Sequence, residues 1–184
     1  GMTAHVWDGG ATRTTHEDFS GRVTINDGVT TGNANSFHAQ HVTGTIVGLG
    51  LGNVSGRNSK GMAPQASALT HDWNNDLSEA TAEAASGMIL SNHSYGSNIA
   101  DVPDWAFGAY TTQSQAWDNL MYNAPYYLMV AAAGNDGNQN SENGTPLGGN
   151  SSYDKLSGNK TAKNNMVVAN GQDANIGANG VLTS

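Results

Sequence analysis

The sequence predicts an α/β domain built around a mostly parallel sheet. Three observations carry that prediction. Six apolar runs of four to seven residues recur along the chain, each bounded by Gly, Asn, Asp or Ser. Such short, continuous runs suit strands buried on both faces. Longer segments compatible with helix lie between them, and alternation of strand with helix is the pattern of parallel sheets joined by right-handed crossovers. Finally, charged residues make up only 12% of the chain against a usual ~25%, while Gly contributes 24 of 184 residues. The polarity therefore comes from turn formers, as in a loop-rich globular domain rather than a disordered acidic chain.

The elements follow in order. Ala4-His5-Val6-Trp7 and Arg22-Val23-Thr24-Ile25 are the first two strands. Residues 38–50 form a helix with apolar positions at Val42, Ile46, Val47 and Leu49. Ala66-Ser67-Ala68-Leu69-Thr70 is the third strand, followed by a helix over 76–86 with Ser78 and Glu79 near its start. Gly87-Met88-Ile89-Leu90 is the fourth strand. A helix over 109–123 places Ala116, Trp117, Leu120 and Met121 at helical spacing. Tyr126-Tyr127-Leu128-Met129-Val130-Ala131-Ala132 is the fifth strand, the Asn/Gly-rich residues 135–150 form a long loop, and Asn165-Met166-Val167-Val168-Ala169 is the sixth strand. A loop of that length in a compact domain is functional or mobile. No repeat, linker or second domain is found, so residues 1–184 read as one domain.

Composition excludes several classes. Lys and Arg number 7 against 15 Asp and Glu, a formal charge of −8. That excess argues against nucleic acid and anionic membranes as partners, since both call for clustered cations. No apolar run approaches the ~20 residues of a membrane span. No cysteine is present, which removes disulfides, thiolate metal sites and cysteine nucleophiles. Gly1-Met2 reads as an added start.

In an open parallel sheet, chemistry gathers at the carboxyl ends of the strands. Asp8-Gly9-Gly10 ends the first strand: either a turn, or a buried carboxylate that needs donors or a cation. His38 and His41 lie three apart at the start of a helix. A metal pair lacks a third ligand at a diagnostic spacing. The alternatives are a general base with a structural second histidine, or two surface histidines; the small residues Thr43, Gly44 and Thr45 favour close helix packing. Ser94-Tyr95-Gly96 follows the fourth strand as a plain junction or as a backbone edge able to pair with a peptide. Asn135 follows Ala131-Ala132-Ala133-Gly134 as a turn residue or as an amide placed to donate to a developing oxyanion.

Taken together and in this order, the segments resemble the subtilisin-like serine proteases. Val6-Trp7-Asp8-Gly9-Gly10 is similar to the family's catalytic-Asp strand end, and Thr15-His16-Glu17-Asp18-Phe19 to the turn that often follows it. His38-Ala39-Gln40-His41-Val42-Thr43-Gly44-Thr45-Ile46 resembles His-Gly-Thr-His-Val-Ala-Gly-Thr-Ile, whose first His is the catalytic base. Gly61-Met62-Ala63-Pro64-Gln65-Ala66 resembles the Gly-Val-Ala-Pro-x-Ala leading into the next strand. Ser94-Tyr95-Gly96 is similar to the substrate-binding Ser-Leu-Gly edge, and Ala132-Ala133-Gly134-Asn135-Asp136-Gly137 to Ala-Ala-Gly-Asn-x-Gly with its oxyanion Asn. The resemblance covers nearly the whole chain.

It implies a three-layer α/β fold, incomplete at its C-terminal end, in which Asp8, His38 and Asn135 are catalytic and Ser94, Tyr95 and Gly96 bind substrate. Ala39 and Gln40 depart from the motif, with Gln40 adding a longer polar group beside the site. The family's Gly-Thr-Ser-x-x-x-Pro segment has no match, and Ser184 lacks the helix and Pro that should follow it. The chain thus reads as part of a serine endopeptidase that hydrolyses peptide bonds and is inactive alone; the alternative is a peptide-binding pseudoprotease. The implied partners are peptides or proteins, and the implied location is secreted. Truncation is expected to leave apolar surface prone to self-association. No cofactor is required for this chemistry. Family members often bind calcium, but Asp27, Asp72, Asp76, Asp136 and Asp154 reproduce no full calcium loop and no ligands are assigned.

Overall fold

Strands β1 (Thr3–Asp8), β2 (Val23–Ile25), β3 (Ser67–Asp72), β4 (Leu90–His93), β5 (Leu128–Ala132) and β6 (Met166–Val168) form one sheet in the order β2-β3-β1-β4-β5-β6. Every pairing is parallel. Among the described residues, three α-helices cover it: α1 (Ala34–Val47), α2 (Asp76–Ala85) and α3 (Thr112–Asn123). This computed structural model describes residues 1–52, 59–137, 139, 144–145, 149 and 155–171. Part of the long loop expected at 135–150, Asp154 and Ser184 lie outside the described residues.

Side chains alternate across each strand, and the two faces bury different cores. Trp7, Met129 and Ala131 face α2 and α3 and pack with Ala80, Trp117, Leu120 and Met121. Phe19, Val23 and Ala68 pack with Val47 of α1 on the other face. Helix, sheet and helices make three layers, the architecture the resemblance implies. Trp7, Trp117 and Met129 are wholly buried, each contributing about 1.5–3 kcal/mol relative to exposure.

Several boundaries differ from the sequence reading, and two of them bear on the site. The fourth strand is Leu90–His93, three residues later than the apolar run suggests. Its polar residues satisfy one another. Tyr95 gives its hydroxyl hydrogen to Asp76 Oδ2 at 2.7 Å, so it accepts from His93 Nδ1 at 2.8 Å. His93 Nε2 then accepts from Ser91 Oγ at 2.8 Å, and Ser91 accepts from Tyr127 at 2.7 Å. A closed chain of donors lets a polar strand lie in a core. Helix α1 begins at Ala34 rather than at His38. Asn33 caps it, its Oδ1 accepting from Asn35 N and Ser36 N. Its first turn escapes a periodicity search because Phe37 points to solvent.

Candidate active site

β1 is the strand at which the order of the sheet reverses, with β3 on one side and β4 on the other. Loops leave in opposite directions there and open a crevice at the carboxyl ends. Asp8 ends β1 and is buried, only 2% exposed. Gly9 N donates to its Oδ1 at 2.7 Å. His38 Nδ1 stands 2.9 Å from Asp8 Oδ1 and 2.8 Å from Oδ2. An ionised carboxylate only accepts, so Nδ1 carries the hydrogen and, in the neutral imidazole, Nε2 holds the lone pair. The His38 side chain is half-exposed while that of Asp8 is not. The pair is a basic nitrogen presented to solvent by a fixed acceptor behind it.

Small residues set that geometry. Ser36, Ala39, Thr43 and Val47 form the inward face of α1. Thr12 Oγ1 lies 2.9 Å from Thr43 Oγ1 and 3.3 Å from Ala39 O, tying the helix to the chain after β1. A Cβ on Gly10 would meet Ser36 Oγ at 2.7 Å, and one on Gly9 would meet the Trp73 ring at 2.8 Å. These glycines permit close approach. Among the others of the motif, His41 and Thr45 are exposed, so the packing read from the small residues is confined to Thr43 and its neighbours. Gln40 turns away from the site: its Oε1 accepts from Arg13 N at 2.9 Å.

A cleft of about 320 Å³ opens beside His38 and is lined by Ser94, Tyr95, Gly96, Asn135 and Lys160. The structure thus gathers all six residues singled out in the sequence, five around the cleft and Asp8 behind His38. Asn135 is exposed and follows β5. Tyr95 lines the cleft, and its hydroxyl donates to Asp76 Oδ2.

Lys160 escaped the sequence reading. It is 8% exposed, and burial holds its pKa below the ordinary lysine value, partly offset by Asp136. Lys155, Lys160 and Lys163 are three of the seven cations of the chain within nine residues, a clustering visible in the sequence. The aspartates considered for calcium serve local roles. Asp27 accepts from Asp72 N, Asp72 from Asn74 N, and Asp76 from Leu77 N. Among the described residues, neither group of three converging ligand atoms holds more than two carboxylates.

No family model and no curated protein matches the chain. Solved structures do. The protease domain of PatA, in a serine-to-alanine variant, superposes with a TM-score of 0.54 at 24% identity, over 74% of this chain and 50% of that one. The fold is subtilisin-like. The patellamide maturation protease PatA (TM-score 0.47, 23% identity) and a cold-adapted subtilisin-like serine proteinase (0.46, 22%) each cover the same 74% of this chain, and 49% and 48% of their own lengths are matched. The chain spans about half the length of the solved structures it matches.

Proposed function

We propose that this chain supplies the general base, its orienting carboxylate and the oxyanion donor of a serine endopeptidase. The observation that carries the reading is the Asp8–His38 pair, with a buried acceptor on Nδ1 and Asn135 across one cleft. In this reading a serine hydroxyl attacks the scissile carbonyl while His38 Nε2 takes its proton. Asp8 holds the ring and stabilises the imidazolium that forms. Asn135 donates to the oxyanion of the tetrahedral intermediate, a contact whose loss lowers turnover by ~10²–10³. His38 then returns the proton to the leaving amine. Residues 94–96, past the end of the β4 ladder, offer backbone for an extended peptide.

The nucleophile this chemistry requires stands in a Gly-Thr-Ser segment, which the 184-residue sequence does not contain. The chain alone is therefore expected to be without peptidase activity. The test is fluorophosphonate labelling of the full-length protein, with mass-spectrometric mapping of the modified peptide. The expected result is one labelled serine outside residues 1–184, with labelling abolished by His38→Ala. Folded full-length protein that takes no label overturns the reading in favour of a peptide-binding pseudoprotease.

A further inference from the structure

On the sheet face opposite α1, four aromatic rings stack across the central strands. Trp7 lies 4.1 Å from His71 and 5.2 Å from His93, centroid to centroid, with His5 6.1 Å from both Trp7 and His71. Helix α2 lays Glu79 and Glu83, one turn apart, over this stack. Asp27 reaches it from the loop after β2. His5 Nδ1 is 3.8 Å from Glu83 Oε2, and His71 Nδ1 is 3.8 Å from both Asp27 Oδ1 and Glu79 Oε2. His5, His71 and Glu83 offer donor atoms that all lie within 4.8 Å of one another, and so do Asp27, His71 and Glu79.

A hydrophobic core has no ordinary use for this arrangement. Three carboxylates meet two imidazoles with poor hydrogen-bond geometry at 3.8 Å. His5 is 8% exposed, and its Nδ1, aimed at Glu83, is buried with no hydrogen-bond partner. His71 is wholly buried and also has an unpartnered nitrogen, Nε2. An unsatisfied buried polar atom costs about 1–3 kcal/mol. The structure around it is otherwise well satisfied: Trp7 Nε1 donates to Glu79 Oε2 at 2.9 Å, and Asn26 Nδ2 donates to Glu83 Oε1 at 3.1 Å and lies 3.4 Å from His71 Nδ1.

The geometry points to a binding site for one zinc-class dication, held by His5 Nδ1, His71 and Glu83. Ligand atoms on one tetrahedral Zn²⁺ stand about 3.4 Å apart, given bonds of ~2.0–2.2 Å. The 3.8 Å pair of His5 Nδ1 and Glu83 Oε2 needs only a small rotation of side chains to close on it. Imidazole nitrogen with carboxylate oxygen suits zinc, cobalt or nickel rather than calcium or magnesium. Burial holds both histidines below their ordinary pKa, His71 at about 4, so they are neutral and ready to ligate at neutral pH. The ion would clamp α2 to β1 and β3, on the far side of the sheet from His38. The site is independent of the peptidase reading.

The test uses the protein stripped with EDTA and titrated with Zn²⁺ alone. Calorimetry and elemental analysis are expected to find one ion per chain with a dissociation constant below micromolar, and a raised melting temperature. His5→Gln and Glu83→Gln should each weaken binding by on the order of 10–100-fold or more. His41→Gln and His38→Ala should leave it unchanged. If His5→Gln fails to fold, Glu83→Gln and the visible bands of the Co²⁺-substituted wild type decide the matter, tetrahedral cobalt giving intense absorption and hydrated cobalt weak. Folded wild type that takes up no zinc at micromolar free metal overturns the proposal. So does binding that survives both cluster substitutions or is lost in His38→Ala.

Discussion

The ammonium of Lys160 fills the space that a Cβ on Gly96 would occupy. Gly96 thereby admits a cation into the cleft that His38 and Asn135 line. A lysine whose burial lowers its pKa gains from any anion that enters. In the full-length protein, peptides carrying Asp or Glu at the residue seated in this cleft should be preferred over Lys or Arg. Lys160→Met should reverse or abolish that preference, lowering kcat/KM for the acidic peptide by roughly 10–100-fold while sparing a neutral one. Profiling with a peptide library checks it; an unchanged preference in the variant would remove Lys160 from substrate selection.

Asp8 fixes which nitrogen of His38 is basic. Replacing Asp8 by Asn keeps the shape and changes the sign of the partner: an amide placed there can donate to Nδ1, moving the hydrogen to Nε2. In ¹⁵N spectra of the ring, wild-type His38 should show protonated Nδ1, and Asp8→Asn should shift the population toward protonated Nε2. In the full-length protein the same substitution is expected to lower turnover by about 10⁴-fold. A ring tautomer indifferent to Asp8→Asn would detach the carboxylate from any orienting role.

The buried histidines make stability fall in acid. His93 is held at about 3 by burial, with His71 the neighbouring charge, against 6.5 when unfolded. Around it lie Ser91, Tyr95 and Tyr127, with Asp76 reached only through Tyr95. A depressed histidine pKa means that the unfolded chain binds more protons, so stability is full above about pH 6.5 and is lost as pH falls toward 3. His5 and His71 act in the same direction. Glu79, raised to about 6 chiefly by burial, opposes them between its unfolded value of 4.5 and 6. The histidines prevail by number and by size of shift. Denaturant unfolding in EDTA at pH 7.5, 6 and 5 should show a net loss on the order of a few kcal/mol. A flat profile would mean that the histidines are hydrated or already charged in the fold.

The six strands and three helices were legible because their apolar cores recur with the right period. Asp8, His38 and Asn135 stood out in the sequence by strand ends and motif order, although His38 lies in the second turn of α1 rather than opening it. What the sequence concealed was polar. His93 lies in a strand because Ser91, Tyr95, Tyr127 and Asp76 close its hydrogen bonds, and those partners are distant in sequence. Likewise His5, His71, Glu79 and Glu83 come together only through register: Trp7 opposite His71 in β1 and β3, and α2 above them. Nothing local in the sequence marks Lys160 as a cleft residue; the turn at Gly158–Thr161 brings it against Gly96.

Glycines likewise look alike in a sequence and differ in the fold. Gly44 and Gly61 both belong to motif segments rich in small residues. A Cβ on Gly61 would stand 2.6 Å from Gly48 N, 2.8 Å from Gly44 O and 2.9 Å from Ile46 C, all backbone atoms that cannot rotate aside. Here the chain entering β3 is bonded to the end of α1, with Gly61 N donating to Gly48 O, Met62 N to Thr45 O and Ala63 N to Ile46 O. Gly61→Ala must separate these segments and should cost about 1–3 kcal/mol, as overpacking does. Gly44 lies within α1, without positive φ, and a Cβ there meets nothing within 4 Å. Gly44→Ala should therefore stabilise this chain by roughly 0.5–1 kcal/mol through helix propensity and a less free unfolded state. Paired melts of the two variants decide it: opposite signs are expected. Equal destabilisation would mean that the open side of Gly44 is covered, in solution, by residues beyond those described or by another copy of the chain.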